Sequence, residues 1–144
     1  MFKVTSRRAA VCLATCMAGT PALAQDGQGV HVSIELNAVQ QVKDSCRISF
    51  LVQNGHGFDI DQAVFEAVLF DAEGRVDRLT LFDFGGLPSA RPRVRQFVVP
   101  GLACVSLGRL LFNGAETCAG ANVPENACAR HLNLRSRTNV EVLG

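Results

Sequence analysis

VFEAVLFDAEGRVDRLTLFDF, residues 64–84, consists of two apolar runs flanking Asp71-Ala72-Glu73-Gly74-Arg75. A short loop with glycine at its last position suits a type I turn closed by a left-handed bulge, because glycine takes positive φ without a Cβ clash. The stretch therefore predicts a β-hairpin. If Asp71 pairs with Arg75, counting outward puts Phe65 opposite Leu81 and Ala67 opposite Leu79 on an apolar face. Glu66 then lies opposite Thr80, and Val68 opposite Arg78, on a wetter face. This is the period-two split of a half-buried sheet. A slip of one residue would reverse the faces, so the register is expected to be firmly held.

Working outward, residues 30–36 and 46–53 alternate in the same way, with Cys46, Ile48, Phe50 and Val52 on one face. Residues 37–44 are polar and read as a loop, and Asn54-Gly55-His56-Gly57 breaks the second strand. Residues 91–99 form a fifth strand, with Val94 and Gln96 on one side and Arg93, Arg95, Phe97 and Val99 on the other. Pro92 suits its start or an edge. Residues 104–112 form a sixth, and 113–128 a longer connection. Residues 132–136 and 139–143 form a last strand or a broken pair. About seven short strands separated by turn signals predict a single all-β domain over 30–144. The expected form is an immunoglobulin-like antiparallel β-sandwich, with a small barrel as the alternative.

Residues 1–24 form an address. Lys3, Arg7 and Arg8 precede an apolar run, and Ala22-Leu23-Ala24 supplies the small residues of a signal-peptidase site. The run is shorter than the roughly 20 residues a bilayer span needs. Cleavage after Ala24 would leave a loose leader at 25–29 and a periplasmic domain. Ser6-Arg7-Arg8 resembles a twin-arginine start, and Sec export fits as well. Without those three cations the 13 acidic residues slightly outnumber the basic ones, so net charge gives no pull towards nucleic acid or anionic membrane.

Cys12 and Cys16 leave with the signal. Cys46, Cys104, Cys118 and Cys128 remain, most simply as two disulfides with three connectivities open. The chain has no Trp and no Tyr, which counts against a sugar-stacking site.

The strand pattern resembles the immunoglobulin and fibronectin-III class of sandwiches. Ala67-Val68-Leu69-Phe70-Asp71, Gly74-Arg75-Val76 and Val52-Gln53-Asn54 are similar to the FxLYD group of small exported domains. Leu69 and Asp71 match that pattern, whereas Ala67 and Phe70 stand where it has Phe and Tyr. The likeness covers roughly residues 48–99, and it implies a fold and an envelope location but no reaction. Cys46 and Cys104, at the starts of two strands of equal parity, resemble the inter-sheet bridge of immunoglobulin domains. That likeness implies the pairing Cys46–Cys104 with Cys118–Cys128. No Trp lies on the third strand, and Leu102 stands where a tyrosine corner would have Tyr.

No motif for a cofactor, metal or catalytic constellation is present, so the chain is expected not to be an enzyme. Cys118-x9-Cys128 lacks the C-x-x-C spacing of redox catalysts and reads as a staple. An envelope thiol or metal protein using Cys118, Cys128 and His131 is the alternative function. An inhibitor of a secreted enzyme, presenting the 118–128 loop, is another. His56, beside Asp59 and Asp61, reads as a solvated loop histidine. Arg91, Arg93 and Arg95 form one charge cluster on an expected edge strand. There they either blunt aggregation or dock an acidic partner. The expected function is a non-catalytic binding or accessory module for an envelope protein.

Overall fold

The computed structural model describes residues 31–144; the expected signal at 1–24 and leader at 25–29 lie outside them. Two four-stranded sheets pack face to face, which settles the sandwich over the barrel. Strands β1 (Val32–Val42), β2 (Ser45–Asn54), β5 (Arg93–Pro100) and β7 (Asn133–Ser136) form one sheet in the order β5-β2-β1-β7. The other has the order β4-β3-β6-β8, from β3 (Ile60–Asp71), β4 (Val76–Leu87), β6 (Leu107–Ala119) and β8 (Glu141–Leu143). Most neighbours are antiparallel, but β7 runs parallel to β1 and β8 parallel to β6. The expected broken pair at the chain end is thus two short strands, one in each sheet.

The alternating residues predicted for β2 do face inward. Cys46, Ile48, Phe50 and Val52 are all fully buried. Phe50 meets Phe82, Phe84, Phe97 and Phe112 at ring-centroid distances of 5.3–6.0 Å. Phe65 adds edge contacts to Phe84 and Phe112. A phenylalanine cluster therefore fills the centre that a tryptophan occupies in many sandwiches. Such pairs contribute roughly 0.5–1.5 kcal/mol each beyond area burial.

The hairpin turn forms as expected. Gly74 has φ 82°, the Asp71 N–H donates to Arg75 O at 2.8 Å, and the Arg75 N–H donates to Asp71 Oδ1 at 2.8 Å. That last bond, with the Arg75 guanidinium behind it, holds the Asp71 carboxyl below the ordinary aspartate range. The register differs from the expectation. Phe70 pairs with Val76 but Leu69 pairs with Arg78, so Asp77 is an extra residue in a bulge. Beyond it, every β4 side chain changes face. Phe65 now opposes Phe82, Ala67 opposes Thr80, Glu66 opposes Leu81 and Val68 opposes Leu79. Phe82 and Phe84 are buried, while Leu79 and Leu81 are 61% and 54% exposed. The bulge places two large aromatic rings in the core at the expense of two smaller leucines, which the area term favours.

Residues 37–44, expected as a loop, extend β1 to Val42 with a bulge at Asn37, and Lys43 takes the tight turn at φ 55°. The polar run is tolerated because it lies beyond the core. Gln41 spends its side chain on Lys43 O, Ser45 O and the Cys104 N–H. Cys104 lies on a 3-10 turn, Cys104–Ser106, and not on β6 as expected. β6 starts at Leu107 and runs well into the expected connection. Gly108 is required there, since a Cβ would stand 2.5 Å from Asp71 O.

The disulfides pair as the immunoglobulin likeness implied, Cys46–Cys104 and Cys118–Cys128. The first ties the start of β2 to the crossover between sheets, and the second ties the end of β6 to the loop before β7. One bridge closes each end of the sandwich.

Candidate functional site

Two regions carry the residues singled out from the sequence, and a third emerges from the structure. The first is the β4–β5 side, where the two sheets leave facing edges. Arg93 and Arg95 lie on β5, and Arg91 precedes it in an exposed turn. Arg95 reaches across the sandwich, donating from Nε to Phe84 O at 2.6 Å and from Nη2 to Gly86 O at 3.0 Å. In return, Arg78 of β4 donates from Nη1 to Pro100 O of β5 at 2.8 Å. Each edge strand thus covers carbonyls of the other with one guanidinium, a protection against edge-to-edge pairing. Arg95 is spent on this latch. Among the described residues Arg93 keeps a side-chain bond only to the adjacent Pro92 O, and with Asp59, Asp61 and Arg95 it lines a shallow cleft of about 380 Å³.

The second region is the end closed by Cys118–Cys128. Asn54 is fully buried, and all its side-chain groups are partnered. Nδ2 donates to Phe58 O at 2.8 Å and to Leu87 O at 2.9 Å, and Oδ1 accepts the His56 N–H at 2.9 Å. His56 is not the solvated histidine expected. It is 8% exposed, stacks on Phe58 at 4.8 Å, and its Nε2 lies 2.9 Å from Ala127 O, so that nitrogen carries the proton. The Asn54 node turns the glycine-rich loop inward, and the buried Ala127–Cys128 segment gives the ring its acceptor. Cys128 is fully buried in its bridge, whereas His131 is exposed and has no side-chain bond among the described residues. The Cys118, Cys128 and His131 trio is therefore not a presented nucleophile. Among the described residues no three His, Cys, Asp or Glu side chains converge as metal ligands.

The third region was missed from the sequence because the β4 register was misjudged. On the outer face of the β4-β3-β6-β8 sheet the register aligns Leu79 with Val68, Val68 with Leu111, and Leu111 with Leu143. This row of apolar side chains crosses all four strands. Val68 is buried beneath its neighbours, while Leu79 and Leu143 are exposed. Leu81 and Glu66 flank the row on one side, and Val76 and Phe70 on the other. Leu79, Thr80 and Leu81 line a groove of about 380 Å³ with Glu66 and Glu116. The signal was present in LTLFDF, where apolar residues occupy both parities and so leave the inward set undecided.

At the opposite end, Val39, Val105, Leu107 and Val140 line a wider cleft of about 660 Å³ beside Cys104. Val105 stands 88% exposed at its lip.

Comparison with known protein families, with curated proteins and with solved structures found no match to this chain. Two disulfides in a small β-sandwich point to an oxidising, extracytoplasmic compartment. No helix among the described residues is long and apolar enough to cross a membrane.

Proposed function

We propose that this chain is a periplasmic, non-catalytic binding or accessory module that presents a sheet face to a protein partner. The observation that carries this is the apolar row Leu79–Val68–Leu111–Leu143 on the outside of a sheet whose core lies on its other side. Large contiguous apolar surface on a small domain marks an interaction site more often than chance placement. The signal-like start and the two bridges support export, and the rigid disulfide-closed ends support a preformed surface. Arg91 and Arg93 offer a second, cationic contact at the β5 edge. The resemblance of its strand pattern to immunoglobulin-like and FxLYD sandwiches fits an accessory module of this kind.

The test is photo-crosslinking in the exporting cell, with a benzophenone amino acid placed at position 79, 81, 91 or 93. Gln96, on the outer face of the opposite sheet, is the control position. The expected result is a discrete adduct with an exported protein from positions 79 and 81 and none from 96. Absence of adducts at all four positions, or equal adducts at 96, overturns the proposal.

A further inference from the structure

Building on that reading of the β4-β3-β6-β8 face, we propose that it docks an extended segment of another exported protein in which lysine or arginine alternates with apolar residues. The apolar half of this specificity comes from the Leu79–Val68–Leu111–Leu143 row and from Leu81 beside it. The cationic half comes from charge. Glu66 and Glu116 line the groove beside the row, Asp83 follows Leu81 on the same side of β4, and none of the three is in an ion pair among the described residues. Among the described residues Glu66 receives only the Asn113 amide, and Asp83 only the Gln62 amide and the Gly85 N–H. Arg109, a cation on this face, is already held by Glu141 at 2.7 Å.

The groove between Leu79, Leu81, Glu66 and Glu116 matches a long basic side chain. Its methylene stem lies on the leucines while its head meets the carboxylates. An extended backbone also suits the neighbouring edge. Arg95 covers the β4 carbonyls at Phe84 and Gly86, while no side chain among the described residues covers the stretch from Thr80 to Phe82 in this way. Strand addition there would supply main-chain bonds, with alternate side chains falling on the face. A second copy of this chain is the poorer occupant. Two such faces opposed about a two-fold axis would set Glu66, Asp83 and Glu116 against the same carboxylates, a repulsion at neutral pH.

The experiment titrates the exported, oxidised protein against a fluorescent peptide of alternating lysine and valine, cut to the 12-residue length of β4. A glutamate–valine peptide of the same length is the comparison. The expected result is saturable binding of the lysine peptide below about 1 mM, weakened by added salt, and no saturation by the glutamate peptide. The double variants Glu66→Gln/Glu116→Gln and Leu79→Ser/Leu81→Ser each weaken binding roughly tenfold, with unchanged far-UV circular dichroism. Absence of saturation below about 1 mM, equal binding of both peptides, or insensitivity to both double variants overturns the inference. So does a dimer in sedimentation velocity that Leu79→Ser/Leu81→Ser dissociates, which would assign the face to self-association. If the peptide fails while crosslinks from positions 79 and 81 persist, the basic-segment inference falls and the binding module stands. If the crosslinks are absent as well, both fall.

Discussion

Asn54 shows how a single buried polar side chain can fix one end of the molecule. Its amide satisfies two carbonyls on separate segments and one N–H, joining the end of β2 to the 55–58 turn and to the end of β4. Its own carbonyl accepts the Ala90 N–H at 2.9 Å, which holds Ala90 at a φ of 58°. Replacing the side chain by methyl would strand three backbone groups away from water, each at a penalty of about 1–3 kcal/mol if it stays unpaired. Asn54→Ala is therefore expected to lower unfolding free energy by about 3 kcal/mol, against less than about 0.5 kcal/mol for the exposed neighbour Gln53→Ala. Urea unfolding of the oxidised protein reads the difference. Equal effects would mean that water replaces the amide and that the node is not structural. Glu35 shows a milder version at the surface. The Asn37 amide, then Arg137, holds its carboxyl below the ordinary glutamate range, and the same Arg137 anchors the chain as it leaves β7 through its N–H to Leu36 O.

At the scale of elements, β4 decides both the core and the outer face. Phe82 is buried among four other phenylalanine rings, while Leu81, its neighbour in sequence, is half exposed. Phe82→Ala is expected to cost about 3–5 kcal/mol and Leu81→Ser less than about 0.5 kcal/mol. The register without the bulge predicts the reverse order, so denaturant midpoints of the two variants decide between them. The hairpin itself was legible in the sequence, because Gly74 and the flanking apolar runs have local causes. The strands with one apolar parity were equally legible, β2 above all, where Cys46 to Val52 alternate cleanly. The bulge at Asp77 was not. It follows from competition between the phenylalanine and leucine parities for one interior, which only the facing sheet resolves. The same holds for the second half of β1, whose polar residues look like loop until β2 supplies a ladder. Arg91, Arg93 and Arg95 were visible as a cluster, but the latch of Arg95 onto β4 needs the facing strand. His56 was misplaced because its acceptor, Ala127 O, lies on a loop distant in sequence.

For the molecule as a whole, the two disulfides act on different lengths of chain. Cys46–Cys104 spans 58 residues and Cys118–Cys128 spans 10. If each bridge stabilises by restricting the unfolded chain, the longer loop contributes about 4 kcal/mol and the shorter about 3 kcal/mol. Native packing adds a second distinction. The short bridge holds the buried Cys128 and, beside it, the carbonyl that meets His56. Cys118→Ala/Cys128→Ala is therefore expected to release that end locally, with faster amide exchange around His56 and Ala127 while β2 and β3 keep their protection. Cys46→Ala/Cys104→Ala should instead lower global stability more, with protection falling evenly through both sheets, because its bridge joins the β5–β2 side to the crossover into β6. Denaturant unfolding combined with hydrogen exchange on the two variants separates the cases. A larger global loss from the short bridge would show that packing at the closed end, and not loop length, sets the stability of this sandwich. The outer β4-β3-β6-β8 face would then be held in shape chiefly from the end of β6.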